Sequence, residues 1–279
     1  MVAVDWLEAL VLGVIQGLTE WLPVSSSGHL GLAQHYLGQV PVVIDILLHF
    51  GTMLVLIIYF RKEAGMVGRS AGAVLRDVSR GTGWSAAIYK DADRKLSFLI
   101  VLALVPTAVF ALAFRFLFGE ALFSNLPVIA AGFAVSGAVL VLAGIVKRGI
   151  RQAKDLTTRD SLAVGVAQGI AFLPGFSRSG LTISTGMLRG IEPETAGRYS
   201  FLIMLPAVLG AMILALPDVG GLSSDVLVMG LAGMAVAMAV GWLSLGMLMR
   251  ILKRGGIHYF APYCFIACAV TVLMFIGYL

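Results

Sequence analysis

The chain has 279 residues, 59% of them hydrophobic and only 13% charged, with a mean hydropathy of +0.96. Soluble domains carry about 25% charged residues, so there is too little polar surface to coat a globule, which excludes a soluble enzyme, a disordered chain and a nucleic-acid binder. The net charge of +5 fits the basic cytoplasmic loops of a membrane protein, with no nucleic acid as partner.

In chain order, residues 4–37 come first. They lack a basic leader, and Asp5 and Glu8 interrupt the apolar stretch, so no cleavable signal peptide is expected. Their apolar pieces are broken by Leu22-Pro23-Val24-Ser25-Ser26-Ser27-Gly28 and fall short of the roughly 20 residues a spanning helix needs. The run 42–60 is long enough to span. Polar, basic 61–95 follows and carries no assignable motif, then the spans 96–114 and 126–146. A second basic stretch, 147–159, leads into 161–190, again broken, at Leu173-Pro174-Gly175-Phe176-Ser177-Arg178-Ser179-Gly180. The spans 197–216, 226–248 and 258–278 complete the chain. Cys264 and Cys268 lie inside the last one and read as helix-packing residues, being too few for a disulfide framework or a metal pattern.

The basic residues set the topology. Of 20 Lys and Arg, eight lie in 61–95, five in 147–159 and three in 250–254, and Arg189 and Arg198 flank the loop before the fourth span. These eighteen are expected in the cytoplasm, leaving Arg115 and Arg178. The loops around Glu120, Asp218 and Asp225 are expected outside, with both termini. The first broken segment then enters from the outer face and the second from the inner face. The expected fold is an all-α polytopic membrane protein: six transmembrane helices plus two re-entrant helix pairs in an inverted-topology repeat, with halves at about 1–146 and 161–279. An offset of 152 residues supports the repeat, since Gly13, Val14, Gln16, Gly17, Ser25, Ser27 and Gly28 meet Gly165, Val166, Gln168, Gly169, Ser177, Ser179 and Gly180. Paired, interrupted segments of this kind point to a site near the midplane.

Irregular backbone at membrane depth needs a polar cavity around it. Each break opens a helix, and helix N-termini attract anions. Arg178 adds a planar cation suited to phosphate, and its insertion costs about 2.5–3.5 kcal/mol even on lenient scales. Gln16 and Glu20 share a helix face at i and i+4 and are hard ligands for Mg²⁺ or Ca²⁺. His29, beside the serines, is a candidate general acid/base. Asp45 and His49, one turn apart in the first span, read either as a cavity-lining pair or as a packing hydrogen bond. Glu192 and Glu194 read as part of a solvated loop.

These residues carry a resemblance. Gln16-Gly17-Leu18-Thr19-Glu20-Trp21-Leu22-Pro23-Val24-Ser25-Ser26-Ser27-Gly28-His29 and Pro174-Gly175-Phe176-Ser177-Arg178-Ser179-Gly180-Leu181-Thr182 resemble the two motifs of the undecaprenyl-pyrophosphate phosphatase family, the bacitracin-resistance type of membrane phosphatase. The resemblance implies removal of the terminal phosphate from a polyprenyl pyrophosphate lipid, giving the monophosphate carrier of envelope glycan assembly. By position it implies Ser26 as nucleophile, His29 as its acid/base neighbour, Arg178 as phosphate clamp, Glu20 and Gln16 as metal and pyrophosphate residues, and Ser177 and Thr182 as further site positions. Ser25, Ser27 and Ser179 join them as substrate-binding candidates. Gln16 stands where many members have Glu, which removes one negative charge. The implied protein is a multi-pass plasma-membrane hydrolase using a divalent cation, Mg²⁺ or Ca²⁺; because the first broken segment enters from outside, the site is expected to open on the outer face. Monomer and homodimer both stay open, as does an anion or lipid-phosphate transporter using the same midplane site.

Overall fold

The computed structural model describes residues 5–38, 40–118, 122, 125–215 and 224–278. Among the described residues the secondary structure is helical, with no strand. Six helices are long and apolar enough to cross a membrane: Val42–Tyr59, Ala92–Phe114, Leu126–Ile145, Pro193–Ile213, Ser224–Lys253 and Ile257–Phe275. All six expected spans are therefore present. Glu120 and Asp218, placed in outer loops by the charge pattern, lie outside the described residues.

The first broken segment forms α1 (Trp6–Thr19) and α2 (Ser26–Leu37), and α3 (Val42–Tyr59) follows. The polar stretch 61–95 folds into α4 (Arg61–Ser79) and the short α5 (Trp84–Ile88), before α6 (Ala92–Phe118) and α7 (Leu126–Ile145). The second broken segment forms α8 (Thr158–Ile170) and α9 (Arg178–Leu188). Helices α10 (Pro193–Ala215), α11 (Ser224–Lys253) and α12 (Ala261–Phe275) complete the fold. The four helices of the broken segments have 11 to 14 residues each. At about 1.5 Å per residue they fall short of a bilayer core of about 30 Å.

α1 and α8 begin with the same device. The Asp5 side chain caps the start of α1 while Glu8 Oε2 accepts from the Asp5 N–H at 2.9 Å. Thr157 and Asp160 do the same for α8 at 2.9 Å. These pairs stand 152 residues apart, in register with the repeated identities. The glycines of the repeat face partners. A Cβ on Gly13 would lie 2.5 Å from the Gly233 carbonyl oxygen, and one on Gly17 2.8 Å from that of Ala237, so α1 packs backbone to backbone on α11. Gly165 meets the Ala103 carbonyl, and a Cβ on Gly169 would stand 2.7 Å from Phe110 Cβ, so α8 packs likewise on α6. Small residues four apart permit this approach where lipid provides no hydrophobic drive.

The four basic segments meet at one end of the bundle. Lys95 Nζ donates to the Lys154 carbonyl at 2.9 Å, Arg148 to the Lys253 carbonyl at 2.8 Å, and Arg198 to Glu63 at 2.7 Å. Glu194, assigned by sequence to a solvated loop, pairs with Arg198 at 3.0 Å.

Candidate active site

The two breaks turn by different means. Ser25 has φ 68°, the one non-glycine residue at positive φ among the described residues. That conformation costs a side-chain-bearing residue about 1–3 kcal/mol, and such strain collects where geometry is functional. In the second break Gly175, at φ 82°, makes the turn, and Ser177 keeps an ordinary φ of −82°. Both serines then cap the helix that follows. Ser25 Oγ accepts from the Gly28 N–H at 3.2 Å and Ser177 Oγ from the Gly180 N–H at 3.1 Å. The hairpins touch: Ser179 Oγ donates to the Leu22 carbonyl at 3.3 Å.

Glu20 is the centre of the arrangement. Its residue caps the C-terminus of α1, the N–H donating to the Gln16 carbonyl at 3.0 Å. Its carboxylate is 2% exposed. Ser26 Oγ donates to Oε2 at 2.5 Å, and Gln16 Nε2 donates to the same oxygen at 3.1 Å. Arg178 reaches Oε1 from the other hairpin at 3.4 Å. His49 Nε2 stands 3.9 Å from Oε2. Trp21, His49, Thr52, Met204 and Val208 lie around the carboxylate. A buried carboxylate is costly unless paired and hydrogen-bonded, and here four side chains surround it. The short Ser26 bond is of the charge-assisted kind; it orients the hydroxyl proton toward a base.

The structure therefore joins Gln16, Glu20, Ser26 and Arg178. Both ring nitrogens of His29, expected beside the Ser26 hydroxyl, have other hydrogen-bond partners. His29 Nδ1 bonds the Ser25 carbonyl at 2.7 Å, and Nε2 bonds the Tyr263 hydroxyl at 2.7 Å. Its ring stacks on Tyr263 and meets Phe133 edge-on. Ser26 opens α2 and donates to Glu20, while His29, one turn on, bonds the Ser25 carbonyl and Tyr263 of α12. Ser27 Oγ lies 3.4 Å from Ser25 Oγ, and Ser179 Oγ 3.4 Å from Ser177 Oγ. Thr182 Oγ1 is buried and shares a hydrogen bond with Ser200 Oγ at 2.5 Å. Ser25, Ser177, Ser179 and Thr182 thus hold backbone and helix contacts beneath the centre.

Sequence reasoning left His49 undecided and missed Thr52. His49 Nδ1 bonds the Asp45 carbonyl at 2.8 Å, not its carboxylate, which accepts from Gln34 Nε2 at 3.1 Å. Thr52 Oγ1 accepts from Gln16 Nε2 at 3.4 Å. The available signal was an ionisable residue within an apolar span; its approach to Glu20 is a contact between helices that no spacing encodes.

A hard cation fits these donors. Gln16 Oε1 is buried with no hydrogen-bond partner in the protein, and it belongs to the side chain already on Glu20. An orphaned amide oxygen beside a carboxylate is the oxygen chemistry that Mg²⁺ and Ca²⁺ take. Among the described residues no three His, Cys, Asp or Glu side chains gather for a metal, so substrate oxygens would have to complete the shell.

At the basic end, burial alone would raise the Asp160 pKa. Hydrogen bonds from Arg151, Thr157 and Arg189 outweigh it and hold the carboxyl well below the usual carboxylate range.

A carboxylate, a serine and an arginine enclosed between two broken hairpins of an apolar bundle define an integral membrane protein with a buried polar centre. The chain belongs to the family described as "Bacitracin resistance protein BacA", which matches residues 9–270. It is 37% identical to an undecaprenyl-diphosphatase of Desulforapulum autotrophicum, with 95% of this chain and 97% of that protein covered. It is 39% identical to that of Desulfosudis oleivorans, with 95% and 97% covered, and 40% identical to that of Syntrophotalea carbinolica, with 94% and 96% covered.

Proposed function

We propose that this protein is an undecaprenyl-diphosphatase: a membrane phosphatase that removes the terminal phosphate of undecaprenyl pyrophosphate and returns the monophosphate carrier to envelope glycan synthesis. Family membership and the activity for which the relatives are named support this reading. The observation that carries the chemistry is Ser26 Oγ donating to Glu20 at 2.5 Å, with Arg178 3.4 Å from the other oxygen of that carboxylate.

In this reading Ser26 Oγ attacks the terminal phosphorus in line. The O–H bond breaks as the O–P bond forms, and Glu20 takes the proton. The bond to the bridging oxygen breaks, and the lipid monophosphate leaves with that oxygen. Arg178 neutralises charge on the transferred phosphoryl group, the main requirement of such transfers. Water then hydrolyses the phosphoserine, and Glu20 returns a proton to Ser26. Direct attack by water on the substrate, with Glu20 as base, is the competing route. Glu20 and Gln16 would hold a divalent cation, Mg²⁺ or Ca²⁺, which would add charge stabilisation at the phosphate oxygens. His29 serves through its hold on the Ser25 carbonyl, and Ser25, Ser27, Ser177, Ser179 and Thr182 shape the phosphate cradle. The two broken hairpins are re-entrant halves of an inverted repeat. The basic end faces the cytoplasm, the site opens on the outer face of the plasma membrane, and the prenyl tail stays in hydrocarbon.

The test is phosphate release from undecaprenyl pyrophosphate by purified protein in detergent, with and without Mg²⁺ or Ca²⁺. The expected result is metal-dependent release that Ser26→Ala and Arg178→Ala abolish. No release from folded wild-type protein under either metal overturns the reading and leaves a transporter.

A further inference from the structure

We infer that the outward face of α4 binds the headgroups of anionic phospholipids in the leaflet at the basic end of the bundle. The inference stands apart from the phosphatase reading and uses no residue of the Glu20 centre.

α4 sorts its charges between two sides. It follows the spanning helix α3 with only Phe60 between them. Its inner side carries Ala64 and Val67 into the main core, and Val74 and Val78 against Ala87, Ile88 and Phe98. Ser97 Oγ of α6 donates to the Val67 carbonyl at 3.2 Å. The two acids of α4 are both paired. Glu63 accepts from Arg198 at 2.7 Å, and Asp77 from Arg94 at 2.6 Å and Lys90 at 3.3 Å. The cations face the other way. Lys62, Arg69, Arg76 and the cap residue Arg80 are exposed. They follow one another at spacings of 7, 7 and 4 residues, which at 3.6 residues per turn keeps them within about 40° of one line, over about 27 Å. Among the described residues no ion pair joins any of the four to a carboxylate.

The surroundings of this row select a lipid. Gly68 and Gly72 are exposed beside it, with nothing within 4 Å of the position a Cβ would take, so a headgroup can lie against the helix between the cations. Leu75 on α4 and Trp84 and Tyr89 on and after α5 are each more than half exposed. Trp and Tyr favour the headgroup level of a bilayer. A soluble anion would meet the cations but leave this apolar surface in water, whereas a phospholipid surface covers both. A run of Lys and Arg directly beyond a spanning helix, on an amphipathic helix, is the pattern that anionic headgroups attract.

The experiment is lipid retention by the full chain in detergent, read by native mass spectrometry during titration with phosphatidylglycerol or phosphatidylcholine. Phosphatidylglycerol should bind at least about tenfold more tightly, and Lys62→Gln, Arg69→Gln, Arg76→Gln and Arg80→Gln should each weaken it by about fivefold. Phosphatidylcholine should bind all of them alike. Gly72→Glu puts a carboxylate on the same face in open space and should weaken phosphatidylglycerol similarly. A charge-matched set elsewhere at the basic end, Lys147→Gln, Arg159→Gln, Arg250→Gln and Arg254→Gln, should keep the preference. No preference in the wild type overturns the inference, and that measurement decides even where a variant fails to fold. Equal loss in the charge-matched set overturns it by showing that net charge alone acts. Displacement of phosphatidylglycerol by glycerol 3-phosphate at equal concentration overturns it by making the face a site for free phosphate.

Discussion

Ser26 Oγ donates to one oxygen of the Glu20 carboxylate and Arg178 approaches the other. If Ser26 is the nucleophile proposed above, Ser26→Ala should lower kcat by at least about 10²–10⁴-fold, with the melting temperature little changed. Normal turnover by Ser26→Ala would leave direct attack by water as the route. Arg178→Lys keeps the charge but loses the fork, so kcat should fall while substrate still binds. Measuring kcat and KM separately checks this, and a rise in KM alone would make Arg178 a binding residue only. At this scale the sequence was legible where chemistry sits beside a break: Gln16, Glu20, Ser26 and Arg178 all carry polar atoms at Pro- and Gly-broken apolar stretches. His49 and Thr52 were not legible as partners of α1, because their approach depends on how α3 crosses it. The partners of His29, the Ser25 carbonyl and Tyr263 of α12, were likewise not legible from its place beside a serine cluster.

At the scale of the element, the repeated identities have two physical causes. Ser25 and Ser177 recur because each caps a helix. Gly13, Gly17, Gly165 and Gly169 recur because each meets a neighbouring helix closely. Gly13→Ala and Gly165→Ala should therefore destabilise the fold by about 1–3 kcal/mol each, the usual cost of overpacking. Gly210 and Gly246 have nothing within 4 Å of the position a Cβ would take. Replacing either by Ala should be neutral or stabilising, since a helical glycine costs about 0.5–1 kcal/mol relative to alanine. Thermal melting in detergent compares the two sets, and equal shifts would show that helix propensity, not close approach, governs these positions. The repeat was visible as letters, whereas the partners of its glycines, α11 and α6, appear only in the fold.

Across the whole molecule, the two halves start alike and end differently. Glu8 and Asp160 complete matching caps on α1 and α8, but only Asp160 is fully buried and gripped by two arginines. Arg151 and Arg189 each reach it at 2.5 Å, and Arg151 also donates to the Arg189 carbonyl at 2.9 Å. This clasp ties the start of α8 to the end of α9, the helix whose first residue is Arg178. Removing one partner of such a buried pair costs about 3–5 kcal/mol, so Asp160→Asn should lower the melting temperature at neutral pH. The Asp160 carboxyl titrates lower in the folded state than in the unfolded one. Its stabilisation is complete above the unfolded value of about 3.9, and is lost as pH falls from there through the folded value. The gap in melting temperature between wild type and Asp160→Asn should therefore stay constant from pH 7 to about pH 4 and narrow only below that, toward the folded value. A gap that does not narrow as pH falls below about 4 would show that the clasp acts through packing and not through the charge on Asp160.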